Sequence, residues 1–477
     1  MHGPSGAGKT YVVAKLAVDL SSESKTCVVR FLGTSGDTAD VGSLLRSICQ
    51  QLRAISMGKE AFVSDAAVSS KALPPCPSAY DDLVKYFFDS IKRWSWGPVV
   101  IILESLDQLS DVLSGRLLNW LLVDGFSGEV HIVCSTLPDE PNPKVGRPFR
   151  CLSILKKRIQ DEQLFIEVTA LKDSAQLIAH LLKLKCRRVT EGQLAALVET
   201  MERAQTPLMA TLITDKASQW KSNEAAPEEL PSSVRGIILE FFRDLVSYFQ
   251  KLEKSKQAGE RLVKHALSYI TLVSKGIADT ELQEILSLDD DVLADSHRWW
   301  FTPDRKLPSA PLQLLLRLLA PYLSRRGQAI GGDLSVWYHR QLWEAAEAYY
   351  LENEEFRAAL HRILSEFFGG RFSGRCKPCS QSLRVRLGLS DSEAENGVDR
   401  HVRKQPFVLK GASAFHAGAT VNERRCTEAM LHMVKELVLL NKIKGLEGIP
   451  QRIKEISKMA EGELCSSEAV CARGIAG

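Results

Sequence analysis

The sequence predicts an α/β domain with a mostly parallel sheet at its N-terminal end, followed by a larger and nearly all-helical region. Three observations carry this. Residues 3 to 10 read Gly3-Pro4-Ser5-Gly6-Ala7-Gly8-Lys9-Thr10, a complete G-x-x-x-x-G-K-[ST] phosphate-binding loop. Short β-branched apolar runs then alternate with segments of helical period up to about residue 170, as strands joined by crossover helices do. Beyond residue 170 the strand signal fades, and apolar residues recur at the three-to-four spacing of buried helix faces.

Residues 10–20 (TYVVAKLAVDL) form the helix that the phosphate loop opens. Residues 26–32 (TCVVRFL) read as a buried strand stopped by Gly33. Apolar side chains at 41, 44, 45, 48, 49 and 52 mark the next helix, and the Ala-, Ser- and Pro-rich stretch 65–78 reads as a surface loop before a helix over 80–94. The run Val99-Val100-Ile101-Ile102-Leu103 is short, continuous and β-branched, which suits a central parallel strand, and it ends in Glu104. A helix is predicted near 112–122, a strand over Val130 to Cys134, and a last strand over 164–169 (LFIEVT). One element is out of place. A phosphate loop hangs off the carboxyl end of a buried strand, and here only Met1 and His2 precede it. The reading is therefore a sheet with its first strand missing, in an N-terminally truncated product or an internal-start gene model, that folds poorly alone.

In the helical region, Thr190 with Gln193 forms a capping box, and Thr206-Pro207 an N-cap and first helical residue. Residues 222–233 read as a linker. Leu262, Val263, Ala266 and Ile270 form one apolar stripe, Gly276 stops that helix, and Thr280 with Gln283 caps the next, a helix–turn–helix arrangement. Residues 371–404 are basic, then Ser- and acid-rich, and read as loosely ordered. Residues 422–458 return to helical character before an irregular tail.

Composition narrows the function classes. A chain of 477 residues is long enough for about three domains. With 61 basic against 58 acidic residues, the net charge of +3 makes no electrostatic case for nucleic acid or for a membrane surface. The longest apolar runs are too short to span a bilayer. Eleven scattered cysteines suit reduced thiols in a cytoplasmic protein better than a disulfide framework. Cys376-x-x-Cys379 has no second pair at zinc spacing, and reads as two ordinary thiols.

The candidate chemistry is phosphate chemistry. The glycines let successive N–H groups of Gly3, Pro4, Ser5, Gly6, Ala7 and Gly8 (all but the proline) wrap one anion. Lys9 would place its charge on the β- and γ-phosphates, and the Thr10 hydroxyl would ligate Mg²⁺. Such a loop needs an acid on a neighbouring strand end. Glu104 and Asp107 supply two: Glu104 to hold the metal shell, Asp107 to orient or deprotonate water. No base-reading motif separates ATP from GTP.

The loop GPSGAGKT, the segment RFLGTSGDTADVGSLLRSICQQL, the acidic strand VVIILESLDQL, the strand end HIVCSTLP, the segment TPLMATLIT and the later WYHRQLWEAAEAYY follow in this order. In this the chain resembles the NACHT and WD-repeat domain proteins, a branch of the STAND nucleotidases, over roughly residues 1–370. The resemblance implies a P-loop NTPase domain over 1–170, a small helical domain over 171–222, and winged-helix and helical domains over 234–370. A linker over 371–421 and a helical segment with its tail over 422–477 would complete the chain. It implies ATP or ADP with Mg²⁺ as ligand and protein partners or self-assembly, while the balanced charge leaves no nucleic acid or membrane as partner. It implies that Pro207 packs against the base and that His339 approaches the β-phosphate of ADP. Three departures accompany it. Glu104 stands where the family has Asp, Ser135-Thr136-Leu137 offers no arginine to the γ-phosphate, and no WD repeats appear. The expected function is a slow, ATP-controlled switch; the alternative is a scaffold with a degenerate nucleotide site.

Overall fold

The computed structural model describes residues 1–477 apart from 34–35, 62–72, 111, 140–150, 170, 172, 228, 253–258, 297–301, 330–331, 389–399, 405–407, 410–419, 445–449, 451 and 455–477. The irregular tail, most of the loop predicted over 65–78, and part of the stretch read as loosely ordered lie outside the described residues. The chain divides into two units, Met1–Ile237 and Ile238–Gly477. The division falls just beyond the segment expected as a linker.

The first unit is built on a parallel sheet of β1 (Thr26–Phe31), β2 (Val99–Glu104) and β3 (Val130–Cys134), in that order. Thr26 pairs with Val99 and Val99 with Val130, so the three strands start level, and β3 stops one residue before the others. Every residue of β2 is buried, as the continuous apolar run required. Alternation then sorts the side chains. Val28, Val99, Ile101, Leu103 and Val130 face the larger core, built with α3 (Val41–Ala61) and α4 (Tyr80–Lys92) through Leu45, Ile48, Phe87 and Ile91. Val100 and Ile102 face the other way, against Val13 and Leu16 of α1 (Lys9–Ser22). The short α2 (Gly36–Ala39) precedes α3.

Met1 and His2 extend this sheet beyond β3. Thr136 N–H donates to Met1 O at 3.2 Å, His2 N–H to Ile166 O at 2.9 Å, and Val168 N–H to His2 O at 2.8 Å. His2 thus bridges in parallel to Thr136 on one side and Glu167 on the other. Two residues hold the ladder position from which the phosphate loop springs, and the strand predicted over 164–169 is reduced to this single bridge. The helix predicted near 112–122 is also not formed. Val112–Leu117 makes 3-10 turns interrupted at Leu113 and Ser114, both at positive φ (54° and 57°). Gly115 packs where a Cβ would lie 2.9 Å from Ser110 O, and Trp120 Nε1 donates to Gly115 O. Burial of the tryptophan overrides the helical spacing.

Helix α5 (Cys151–Arg158) is followed by a three-helix group: α6 (Ser174–Leu184), α7 (Glu191–Arg203) and α8 (Pro207–Ala217). Thr190 and Gln193 form the capping box of α7, and the Thr206 hydroxyl accepts from Met209 N–H at the head of α8.

The second unit holds most of α9 (Val234–Leu252), then α10 (Glu260–Leu272), β4 (Ile277–Ala278), α11 (Asp279–Leu288), α12 (Asp290–Ser296), α13 (Ser309–Leu319) and the hairpin β5 (Leu323–Ala329) and β6 (Gly332–Trp337). The strands pair antiparallel in the order β4-β6-β5. Helices followed by such a hairpin, with β4 joining the sheet between α10 and α11, make a winged-helix topology. Gly276, at φ +85°, is required: a Cβ would meet Val336 Cγ1 at 2.7 Å. The next helix starts earlier than Thr280 and Gln283 suggested, because Glu281 Oε2 accepts from Ala278 N–H at 2.9 Å. Among the described residues the unit continues with α14 (Arg340–Tyr350), α15 (Glu354–Phe368), α16 (Gln381–Leu387) and α17 (Glu423–Lys444), with a two-residue pairing of β7 (Val408–Leu409) and β8 (Thr420–Val421) before α17.

Part of the stretch expected to be a linker is tied down by charge. Arg400 is fully buried; its guanidinium bonds Asp290 Oδ1, Lys377 O and Pro378 O. Ser380 N–H donates to the other Asp290 oxygen. The preceding Asp289 turns inward, taking 2.6 and 2.7 Å bonds from His265 Nδ1 and the Tyr269 hydroxyl. Between α15 and α17 a chain of contacts runs from His361 Nδ1 to His432 Nδ1 (2.8 Å) and from His432 Nε2 to Glu428 (3.3 Å). Glu428 also accepts from Ser274 Oγ and from the N–H groups of Ser274 and Lys275. Among the described residues no helix is long and apolar enough to cross a membrane.

Candidate nucleotide site

The phosphate loop sits at the carboxyl ends of the strands, where a parallel sheet leaves its ligand crevice. Gly6 and Gly8 both take positive φ, 81° and 92°, which a side chain would strain. Gly3 is needed for closeness instead, since a Cβ there would lie 2.9 Å from Val168 O. Gly8 is also the N-cap of α1, and no side chain caps that end. The orphan N–H groups of the first helical turn therefore face the loop. Lys9 is buried, and its Nζ donates to Gly3 O at 2.7 Å and Pro4 O at 2.9 Å.

The acidic half of the site meets the loop directly. The Thr10 hydroxyl donates to Glu104 Oε1 at 2.7 Å, joining residues far apart in sequence. Ser135 supports this carboxylate from the neighbouring strand end. Its hydroxyl donates to Glu104 Oε1 at 3.4 Å and accepts from Ser105 N–H at 2.8 Å. Ser105 takes φ +64°, a left-handed conformation uncommon for a residue with a side chain. Leu106 N–H donating to Ser135 O helps to hold that turn.

Asp107 is placed differently from Glu104. It is buried, its Oδ1 accepts from Leu137 N–H at 3.1 Å and its Oδ2 from Gln108 Nε2 at 3.2 Å. These bonds fasten the turn after β2 to the segment after β3. Gln108 in turn lies over Gly33, where a Cβ would clash at 2.5 Å. Thr136 contributes a buried hydroxyl with no hydrogen-bond partner among the described atoms. Close by, burial pushes the Cys134 thiol up to about 12, and burial together with Lys156 holds His2 below the usual histidine value.

Of the two residues that the resemblance added, Pro207 reaches the loop. As the first residue of α8, it lies 3.5 Å from the point where a Gly8 Cβ would stand. Leu208 beside it lies against Gly6 and donates its N–H to Gly6 O at 3.4 Å. His339 belongs to the second unit. There it is the N-cap of α14, with Nδ1 accepting from Gln341 N–H at 3.2 Å. Ser135, Val168 and Leu208 escaped the sequence reading as contacts of the loop and its acid. Their only local signal was position, at a strand end or beside Pro207.

The loop's cradle, the uncapped helix end and the Thr10–Glu104 pair fit a polyphosphate with a divalent cation. Among the described residues no group of three or more His, Cys, Asp or Glu could hold a metal by itself. A cation here would therefore draw on ligand oxygens and water beside Thr10 and Glu104.

The family model for the N-terminal region of nephrocystin 3 matches residues 1–135. NACHT and WD repeat domain-containing protein 2 of Homo sapiens is 28% identical over 471 residues, covering 91% of this chain and 25% of that protein. NACHT domain- and WD repeat-containing protein 1 of Homo sapiens is 29% identical over 447 residues, covering 91% of this chain and 26% of that protein. The chain is thus similar to NACHT and WD-repeat proteins along nearly all its length, and spans about a quarter of theirs. Among solved structures, the Aeropyrum pernix ORC1 protein in complex with DNA has a TM-score of 0.28 at 14% identity, covering 73% of this chain and 86% of that one. Cdc6p from Pyrobaculum aerophilum has a TM-score of 0.25 at 11% identity, with coverage of 73% and 87%. These two likenesses are too slight to build on.

Proposed function

We propose that this chain binds a nucleoside triphosphate, ATP as the resemblance implies, with Mg²⁺, and works as a slow nucleotide-controlled switch in protein assembly. The observation that carries the reading is the 2.7 Å bond between Thr10 and Glu104, which puts the metal-binding hydroxyl of the loop beside an acidic strand end. When bound, the cation would neutralise charge on the β- and γ-phosphates. The N–H groups of the loop and of the first turn of α1 would bind phosphate oxygens, and Lys9 would exchange loop carbonyls for phosphate. Thr10 and Glu104 would hold the metal shell. Pro207, which touches the loop from α8, would pass a change in the loop to the three-helix group. A role for His339 belongs to this proposal only as the resemblance implies it.

Three features favour slow turnover. The Asp107 carboxylate is engaged in the turn, Glu104 replaces the shorter Asp, and Leu137 follows Ser135-Thr136 with no arginine. An arginine at the γ-phosphate is worth about 10³–10⁵ in rate in GTPases that gain one from a partner. The same features favour a second reading, a scaffold that uses nucleotide only to stay folded. Steady-state hydrolysis by the purified chain separates the two. The switch predicts turnover below about one per minute on this logic, abolished by Glu104→Gln while nucleotide binding persists. Binding with no turnover at all selects the scaffold, and an unchanged rate in Glu104→Gln removes the catalytic assignment.

A further inference from the structure

Away from the nucleotide site, the segment before α4 is strapped along α3. Leu73 N–H donates to Ser56 Oγ at 3.2 Å, and Arg53 Nε donates to Leu73 O at 3.2 Å. At the other end, Arg46 Nη2 donates to Ser78 O at 2.8 Å. The strap therefore runs antiparallel to the helix, from Ser56 down to Arg46. The lengths match: ten helical residues rise about 15 Å, and five extended residues span about 16 Å. Near the Leu73 end, Tyr86 of α4 also holds the strap by donating to Pro74 O at 2.7 Å.

This register brings Cys76 beside Cys49, which lies between Arg53 and Arg46 on α3 among the buried residues Leu52 and Ile48. Cys49 is fully buried in the larger core, and Cys76, partly exposed, packs against that core. The two side chains are within hydrogen-bonding reach of each other, and Cys76 is also within reach of Tyr86. They come from different elements.

We propose that Cys49 and Cys76 are a reversible disulfide pair, closed by a low-molecular-weight disulfide such as glutathione disulfide, that locks the strap onto α3. Cys76, the more accessible thiol, loses its proton and attacks one sulfur of glutathione disulfide. A protein–glutathione mixed disulfide forms and one glutathione thiolate leaves. The Cys49 thiolate then attacks the Cys76 sulfur, forming the internal disulfide and expelling the second glutathione thiolate. The two protons lost by the protein end on the two glutathione molecules, and the two electrons lost by the thiols reduce the glutathione disulfide. Burial raises both thiols above their ordinary value; at Cys76, Tyr86, Cys49 and the guanidinium groups of Arg53 and Arg46 act against it. Closure is therefore slow at neutral pH and accelerates as pH rises.

The test uses the full wild-type chain and needs no variant to fold. The protein is incubated with excess glutathione disulfide, remaining thiols are alkylated, and peptides are mapped by mass spectrometry with and without dithiothreitol. The expected result is one internal crosslink joining the Cys49 and Cys76 peptides, reversed by dithiothreitol. It should raise the thermal midpoint by constraining the unfolded chain, and a Cys76→Ser chain should show neither change. A stable glutathione adduct on Cys76 with Cys49 still alkylatable would overturn the proposal. So would recovery of both residues as free thiols while other cysteines oxidise.

Discussion

Both units bury polar side chains and both leave some buried hydroxyls without a hydrogen-bond partner among the described atoms, Thr136 in the first and Ser335 and Tyr350 in the second, but their charged groups are finished differently. In the second unit the buried charges close on one another: Asp289 on His265 and Tyr269, Arg400 on Asp290, Glu436 on Arg452, and Glu428 on Ser274 and His432. In the first unit Lys9 donates to two neutral carbonyls of its own loop, the Thr136 hydroxyl has no partner among the described atoms, and the first turn of α1 has no side-chain cap. Closed networks hold elements together, and removing one partner strands the others at high cost. A set of donors gathered at one strand end, on exchangeable partners, is how a fold presents charge to a ligand. Burial alone does not draw this contrast, since Glu104 and Asp289 are both buried.

The largest effect should come from breaking a closed network. Asp289→Ala leaves His265 and the Tyr269 hydroxyl buried without their acceptor, which should cost about 3–5 kcal/mol of stability. Urea denaturation of the two chains measures it. A loss below about 1 kcal/mol, the scale of an exposed pair, would remove the distinction drawn here.

Lys9→Ala tests the open site. It should weaken Mg-ATP binding by about 1.5–3 kcal/mol, the value of a charge-assisted hydrogen bond, with a small change in unfolding. Titration calorimetry on both folded chains reads it. Equal affinities would leave the loop without a nucleotide role.

Acid should open the seam between α15 and α17. Burial, then His432, lowers the His361 pKa to about 2, and burial lowers that of His432 despite Glu428. Both rings are neutral in the folded chain, whereas in the unfolded chain they take up protons below their ordinary value near 6.5. The unfolded state then binds more protons, so stability is fully present above that value and falls as pH drops below it. One such group loses about 1.4 kcal/mol per pH unit, or about 2 kcal/mol by pH 5. Glu428, lowered to about 2 chiefly by hydrogen bonds from His432 and Ser274 acting against burial, adds its own loss only below its unfolded value near 4.5. Urea midpoints from pH 8 to pH 5 should trace the decline, and His361→Gln should flatten it. A flat wild-type profile would show that the pair does not titrate as a buried neutral unit.

The smallest effect probes the contact between α8 and the loop. Thr206→Ala removes the hydroxyl that caps α8 and should cost about 1 kcal/mol, with Thr206→Ser restoring it. If Pro207 couples α8 to the loop, nucleotide affinity should fall as well. A stability change with unaltered affinity would confine the cap to a structural role.

The residues that local chemistry constrains were legible without a structure. The glycines and Lys9 of the loop, the buried run of β2 ending in Glu104, the cap at Thr190 and Gln193 and the proline start of α8 each follow from backbone conformation, periodicity or one near-neighbour hydrogen bond. The chain's sequence likewise set the order of α/β and helical parts. What only the tertiary structure decided depends on partners distant in sequence. Trp120 and Gly115 cancelled a helix that spacing supported. Asp107, read from the sequence as the residue that orients water, accepts from Leu137 N–H after another strand. Arg400 fastened part of a stretch whose composition suggested a linker, because Asp290 waited for it in another element. Met1 and His2 kept a place in the sheet through bonds to residues near 136 and 167. Periodicity reports which face of an element is buried, while the acceptor that will meet a given buried charge is fixed only when the elements pack.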